Sequence, residues 1–142
     1  TLQKAEYKEA RSWSENDPNV PMEKKMFRTP DLYGYFTTTY NPVRALSLSL
    51  SGTYTGSMLI EHHKGDIAVN RTEKTKSFID LGFKAGYDFK LYKSITLQAY
   101  AGVQNIFNSY QNDFDKGPDR DSGYIYGPSM PRSIYAGIKL SY

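Results

Sequence analysis

The clearest pattern in the chain is the alternation of apolar and polar residues over positions 132–142. One face of an extended strand would carry Ile134, Ala136, Ile138, Leu140 and Tyr142, and the other would carry Ser133, Tyr135, Gly137, Lys139 and Ser141. A strand of a soluble sandwich can alternate in the same way. An amphipathic strand that stops on a terminal aromatic is more typical of the strand that closes an outer-membrane β-barrel. We therefore expect a barrel-closing strand here, with Tyr142 contributing to closure and assembly.

Earlier segments predict further strands of the same kind. Residues 32–40 alternate, but their pattern does not decide which face of the strand is apolar. Residues 45–60, 79–90 and 95–104 alternate clearly between apolar and polar. Their expected apolar faces comprise Leu46, Leu48, Leu50, Tyr54, Met58 and Ile60, then Ile79, Leu81, Phe83, Ala85, Tyr87 and Phe89, then Ile95, Leu97, Ala99, Ala101 and Val103. The predicted fold class is all-β: an antiparallel up-and-down meander forming the C-terminal strands of a transmembrane β-barrel.

The expected connections alternate in length. Tight turns are predicted at 41–44, where Pro42 cannot continue a ladder, and at 91–93, whereas a charged loop fills 61–76 and a Gly-, Pro- and Asp-rich loop fills 107–131. Barrels of the outer membrane have short periplasmic turns and long extracellular loops. The long loops would then face outside. The polar N-terminal stretch is expected to hold the end of a strand over 1–8, one helical turn over 7–11 and a loop over 13–22.

Aromatic placement favours the same orientation. The expected periplasmic strand ends carry Tyr40, Tyr87, Phe89 and Tyr142, whereas positions nearer the expected extracellular ends carry Tyr54 and Phe107. Aromatic girdles mark both interfaces of barrels, although such rings could equally pack a soluble core. The mean hydropathy of −0.63 does not argue against a barrel, since only every second residue would face lipid.

Composition excludes several function classes. The chain has 142 residues, enough for one structural unit, and contains no cysteine, which rules out disulfides, zinc knuckles and thiol catalysis. Its net charge of +3 is spread among interspersed acids and bases, so no basic stripe for nucleic acid is present. No serine elbow or phosphate loop supports an enzyme, and no cofactor is expected.

Candidate ligand contacts lie in the two long loops. They are His62, His63, Tyr110, Asp113, Asp115, Arg120, Asp121, Tyr124 and Tyr126. Tyrosine offers contact area at low entropic cost, and the charges can orient a polar ligand. Adjacent histidines on a strand point to opposite faces, so no metal site is predicted. The acidic run from Asp113 to Gly123 departs from the EF-hand pattern, and calcium binding there stays open.

The order of several motifs resembles the C-terminal end of TonB-dependent outer-membrane receptors. The segments that carry this resemblance are Phe27-Arg-Thr-Pro30, Asn41-Pro42, Tyr54-Thr-Gly-Ser-Met58, Gly102-Val-Gln-Asn-Ile-Phe-Asn108, Tyr126-Gly-Pro128 and Pro131-Arg132, and together they span nearly the whole chain. The detailed sequence of these segments is most similar to that of receptors of the Bacteroidetes group, including vitamin B12 and siderophore importers. The resemblance implies that residues 1–142 form a C-terminal segment of a 22-stranded barrel whose plug domain and remaining strands are absent.

The resemblance also implies location and partners. A receptor of this family lies in the outer membrane of a Gram-negative bacterium and imports a scarce nutrient such as a cobalamin or an iron–siderophore complex. Its partners would be the TonB complex through the plug, a small nutrient ligand, outer-membrane lipid and a surface lipoprotein. Alternatives are a SusC-like glycan or peptide importer, a soluble all-β surface binding module, and a small barrel enzyme, for which no clustered nucleophile and base is present.

Overall fold

A computed structural model describes residues 1–142 as nine β-strands, with no helix that is long and apolar enough to span a membrane. The strands are β1 Glu6–Arg11, β2 Glu23–Lys25, β3 Tyr33–Val43, β4 Leu46–Thr55, β5 Leu59–His62, β6 Arg71–Lys74, β7 Phe78–Tyr92, β8 Ile95–Gln104 and β9 Ser133–Ser141. The order in the largest sheet is β3-β4-β7-β8-β9, while β1-β2 and β5-β6 form two-stranded sheets. The predicted all-β antiparallel class is confirmed. The five-stranded sheet is open, with β3 and β9 at its edges, and no closed barrel is present.

The chain divides into two compact units rather than the one expected from its length. The first, here called the loop unit, comprises Thr1–Gly34, Tyr54–Phe78 and Tyr110–Ser129. The second, here called the sheet unit, comprises Tyr35–Thr53, Ile79–Ser109 and Met130–Tyr142.

The register of the sheet unit places the predicted apolar residues on a common face. Residues directly opposite each other in an antiparallel pair share a face. Ala99 lies opposite both Tyr87 and Ile138, and the same holds for the rows Phe83–Val103–Ile134, Ala85–Ala101–Ala136 and Phe89–Leu97–Leu140. The other face carries the rows Lys84–Gly102–Tyr135, Gly86–Tyr100–Gly137 and Asp88–Gln98–Lys139. The period-two predictions for these three strands are confirmed.

The first hairpin differs from its prediction at the turn. The strand β3 continues through Pro42 to Val43, and the turn lies at Arg44–Ala45 instead of 41–44. Proline is tolerated because β3 is an edge strand, where a missing N–H leaves no central ladder bond unmade. The second turn is likewise displaced, to residues 93–94, with Lys93 in the left-handed region (φ 39°).

The phenol ends of two tyrosines lie over glycines on the polar face. A Cβ at Gly102 would stand 2.5 Å from the Tyr135 ring opposite it, and a Cβ at Gly137 would stand 2.5 Å from the Tyr100 hydroxyl. Only glycine fits beneath each ring, because any other residue would bring a Cβ into contact with the tyrosine. Cross-strand aromatic–glycine pairs of this kind fix strand register.

The segment after β8 is fixed by two asparagines in the left-handed region, Asn105 (φ 50°) and Asn108 (φ 53°). The Asn105 side-chain amide, which is buried, donates to the carbonyls of Ser109 (3.2 Å) and Met130 (3.0 Å). The Asn108 side chain accepts from the backbone N–H of Arg132 at 2.9 Å. Asparagine tolerates positive φ better than other side chains, so both residues serve to join the exit of β8 to the start of β9.

The loop unit corrects several predictions. The loop predicted over 61–76 is shorter, at 63–70, because β5 and β6 form a hairpin in which Leu59 pairs with Lys74 and His62 with Arg71. The strand β4 ends at Thr55, so Met58 and Ile60 leave its face and form a small core with Tyr124. The expected helical turn at 7–11 is instead strand β1, which begins at Glu6 and not at residue 1. The segment 13–22 contains no strand, as predicted.

Candidate functional site

A buried histidine lies at the centre of the loop unit. The strand β5 ends at His62, whose side chain is 4% exposed, and its Nε2 lies 2.9 Å from Oδ1 of Asp115, which is equally buried. The imidazole stacks on the Tyr124 ring with centroids 3.5 Å apart. On its other side, Nδ1 has no hydrogen-bond partner and lies 3.9 Å from a Glu73 oxygen on β6. His62 therefore joins the hairpin to the segment 110–129, and it is not free to contact a large ligand.

Two tyrosines share a carboxylate beside this histidine. The hydroxyl of Tyr126 donates to Oδ2 of Asp113 at 2.6 Å, and that of Tyr124 lies 3.4 Å from the same oxygen. Burial, followed by the negative charge of Asp113, raises the pKa of Tyr124 to about 12. Burial and the hydrogen bond to Asp113 raise the pKa of Tyr126 as well. Both phenols are therefore neutral hydrogen-bond donors at ordinary pH.

Every carboxylate oxygen of Asp115 and Asp121 already takes part in a hydrogen bond within the protein. Asp115 uses its second oxygen to accept from the backbone N–H of Asp121 at 3.1 Å. Asp121 accepts from the N–H of His63 at 2.9 Å and from that of Gly123 at 2.8 Å. Burial raises the pKa of Asp121, but these backbone hydrogen bonds lower it by more, so its net value is below that of an ordinary aspartate. These two carboxylates therefore stabilise the conformation of residues 113–123 rather than face a ligand.

A small pocket of about 240 Å³ opens against this network. Its lining includes four predicted candidates, Asp115, Arg120, Asp121 and Tyr124, together with Phe114, Ser122 and Ile125. Arg120 is exposed and uses one guanidinium nitrogen to donate to the Gly117 carbonyl at 3.1 Å. Because guanidinium carries five N–H donors, most of the donors of Arg120 stay available. The pocket thus offers an arginine fork beside aromatic and aliphatic side chains.

Two residues that sequence reasoning missed hold this segment in place. Gln111 is 1% exposed, donates to the Tyr124 carbonyl at 3.0 Å and accepts from the N–H groups of Tyr126 and Gly127. Arg28 donates to Glu61 at 2.9 Å and to the carbonyls of Gly123 (2.9 Å) and Ile125 (3.2 Å). Arg28 belongs to the Phe27–Pro30 motif, whereas nothing local in the sequence distinguishes Gln111.

The other predicted residues lie around the network rather than in the pocket. The His63 ring is exposed and packs edge-on against Trp13, with centroids 4.6 Å apart. Tyr110 is half-buried and does not line the pocket. Tyr142 is fully exposed, at 102%. No group of three or more His, Cys, Asp or Glu side chains comes close enough to hold a metal ion.

Comparison with protein-family models, with curated proteins and with solved structures finds no match to this chain.

Proposed function

We propose that the chain is the C-terminal part of the barrel of a TonB-dependent outer-membrane receptor, which imports a scarce nutrient such as a cobalamin or an iron–siderophore complex. The observation that carries the proposal is the uncovered apolar face of the sheet unit. Ile134, Ile138 and Leu140 on β9 are 84%, 74% and 63% exposed. On β7, Phe83, Tyr87 and Phe89 belong to the same face and are also exposed.

An apolar face that crosses several strands needs a cover, because contiguous patches of this kind are rare on soluble monomers. Lipid is the cover that best suits a sheet whose apolar face is regular along three strands and whose turn end carries the ring pair Tyr87–Phe89, with centroids 4.8 Å apart. Aromatic rings are enriched at the membrane–water interface for this reason. Outer-membrane lipid is therefore the first proposed partner.

The opposite face suits the polar interior of a plugged barrel. Gln98 donates to Asp88 at 2.7 Å, and the ammonium of Lys84 lies 4.5 Å from the Tyr100 ring centroid. Lys139 extends from the same face, opposite Gln98. These groups could hydrogen-bond a plug domain and water, and through the plug the receptor would meet the TonB complex.

Connection lengths support an outward-facing ligand site. The tight turns after β3 and β7 lie at one end of the sheet strands, and the long connections after β4 and β8 leave from the other. In an outer-membrane barrel the long connections are extracellular. The pocket at Arg120 would then bind a nutrient with an anionic or hydrogen-bond-accepting group against an apolar or aromatic surface.

The ligand site is tested by Arg120→Ala in the full-length receptor, with Lys116→Ala as a control for loss of one exposed charge in the same segment. Losing a charge-assisted hydrogen bond of about 1.5–3 kcal/mol would reduce uptake at limiting nutrient by about tenfold or more. The control should leave uptake unchanged, with equal amounts of folded receptor for both variants. Normal uptake by Arg120→Ala would remove the pocket from the proposal. Deleting 113–122 is less informative, because Asp113, Asp115 and Asp121 hold the fold.

A soluble all-β surface binding module is the second candidate, favoured by the hydrogen-bonded core of the loop unit. Extraction separates the two, since a barrel leaves the outer-membrane fraction only with detergent. Release by alkaline washing would favour the soluble module. A SusC-like glycan or peptide importer shares the barrel and differs in ligand; a lipoprotein partner would co-purify with it.

A further inference from the structure

A second hollow lies in the sheet unit, and its lining differs from that of the pocket at Arg120. It measures about 540 Å³ and lies where the two tight turns meet the sheet. Its lining includes the rings of Tyr87 and Phe89, the aliphatic side chain of Leu91, and the cations Arg44 and Lys90. It combines an apolar wall with two positive charges.

The two cations of this hollow outnumber its one carboxylate, Asp88, and form no ion pair with it. None of Arg44, Lys90 and the neighbouring Lys93 lies within ion-pair distance of a carboxylate. The one acid in the lining, Asp88, accepts from Gln98 at 2.7 Å on the polar face. Lys93 instead lies 5.3 Å from the Tyr92 ring centroid. The turn end therefore presents unpaired positive charge.

The charged and apolar side chains come together here because the end of β7 runs past the turn at Arg44–Ala45, where the Asp88 N–H donates to the Ala45 carbonyl at 2.8 Å. The ladder between β7 and β8 shifts register between Lys90 and Tyr92. This bulge lies beyond Lys90, which pairs with Thr96 and belongs to the polar face with Asp88, whereas Tyr87 and Phe89 belong to the apolar face, so the hollow is lined from both faces of β7. Tyr87, Phe89 and Leu91 are exposed, so the apolar wall is open to a ligand that approaches along the sheet face.

We propose that this hollow binds an anionic glycerophospholipid, with Arg44 and Lys90 on the phosphate and Tyr87, Phe89 and Leu91 against the glycerol end of the acyl chains. The inference rests on the proposed membrane location. Charge complementarity identifies the headgroup, since a guanidinium can donate to two phosphate oxygens in parallel. The continuous apolar face beside the hollow indicates that the ligand also carries acyl chains. Free phosphate has none and would leave this face uncovered.

The test uses the full-length protein in detergent micelles and measures retention of phosphatidylglycerol against diacylglycerol of the same chain length by native mass spectrometry. A cation near an anionic lipid surface contributes about 1 kcal/mol, which is about fivefold, so Arg44→Ala with Lys90→Ala should reduce the preference for phosphatidylglycerol by about 25-fold. Lys139→Ala removes one cation from the opposite face and should preserve the preference.

The remaining arms separate the sources of phosphate and the two proposals. Inorganic phosphate should not displace the lipid, and displacement at matched concentration would overturn the lipid assignment in favour of a free anion. A detergent-dependent, folded receptor with no preference for phosphatidylglycerol would overturn the lipid site and leave the receptor proposal intact. A protein that stays soluble without detergent would overturn both.

Discussion

The two units of the chain are stabilised in different ways. The loop unit contains every buried hydrophobic side chain, namely Val20, Met58, Ile60, Phe78 and Tyr124, together with buried His62, Thr75 and Gln111. The sheet unit contains no buried hydrophobic side chain, and Asn105 is its one buried polar residue. The loop unit therefore carries its own small core, while the larger sheet has none.

This contrast shows where each unit obtains its order. In the loop unit, side chains such as Gln111 and Arg28 satisfy backbone groups of an irregular segment, which would otherwise lose hydrogen bonds on burial. In the sheet unit, the ladder already satisfies the backbone, and tyrosine–glycine pairs fix the register of β8 and β9. What the sheet lacks is an apolar cover, and the proposed function assigns that place to lipid.

The strongest test of the contrast is Ile138→Arg at the middle of β9, in the full-length protein in lipid vesicles. Arginine on a lipid face near the bilayer midplane should destabilise the protein by about 2–4 kcal/mol. Gln98→Arg, on the polar face beside Asp88, should cost much less. Urea unfolding followed by intrinsic fluorescence measures both. An equal, small effect of the two substitutions would mean that lipid does not cover the apolar face.

The second test removes the central hydrogen-bonding side chain of the loop unit. Gln111→Ala would leave two backbone N–H groups and one carbonyl without partners, and stranded buried groups cost about 1–3 kcal/mol. Hydrogen exchange should accelerate over 110–129 and stay unchanged in β8 and β9. Gln98→Ala deletes the same side chain from the sheet, and should leave 110–129 protected. Global acceleration by Gln111→Ala would contradict separate stabilisation of the two units.

The sheet was the predictable part of this molecule. Alternation along a strand determines its two faces, so the apolar rows through Ala99 and Ile138 follow from the sequence once the strands pair. The errors were local. Pro42 lies in the edge strand β3 rather than in the predicted turn, because the local sequence does not show that a strand is at an edge. The strand β4 ends before Gly56, where a Cβ would stand 2.7 Å from the Leu32 carbonyl oxygen.

The candidate site was only partly predictable. Composition identified the tyrosines and aspartates of 109–130, but not that Asp113, Asp115 and Asp121 direct their oxygens inward to hold His62, Tyr126 and backbone N–H groups. Those partners are distant in sequence, and the hairpin β5–β6 that supplies His62 is too short and charged to show apolar alternation. The free donors of Arg120 are apparent only from the structure, in which the oxygens of Asp115 and Asp121 are already hydrogen-bonded within the protein.

A third test uses pH to loosen the loop unit alone. The pKa of Tyr124 is raised from 10.0 to about 12, so its neutral form is favoured in the folded state. Its contribution to stability is complete below pH 10 and is lost as pH rises from there through about 12. Tyrosinate absorbance should show a step near pH 12 that Tyr124→Phe removes and that is distinct from the titration of Tyr126, whose pKa is raised further. Tyr35→Phe removes a phenol that is 86% exposed and should preserve that step; its loss there would argue against the assignment.

The prediction with the smallest expected effect tests whether side-chain contacts on the polar face of the sheet contribute to stability. The ammonium of Lys84 lies 4.5 Å from the centroid of the Tyr100 ring, which covers Gly137. A cation–π contact at a partly exposed site contributes about 0.5–1 kcal/mol, so Lys84→Ala should lower the free energy of unfolding by that amount and Lys84→Arg should retain most of it. A double-mutant cycle with Tyr100→Leu isolates the pairwise contribution from the loss of the ring over Gly137. Zero coupling in that cycle would mean that Lys84 contributes nothing to this face beyond the strand ladder, the ring–glycine pairs and the Gln98–Asp88 hydrogen bond.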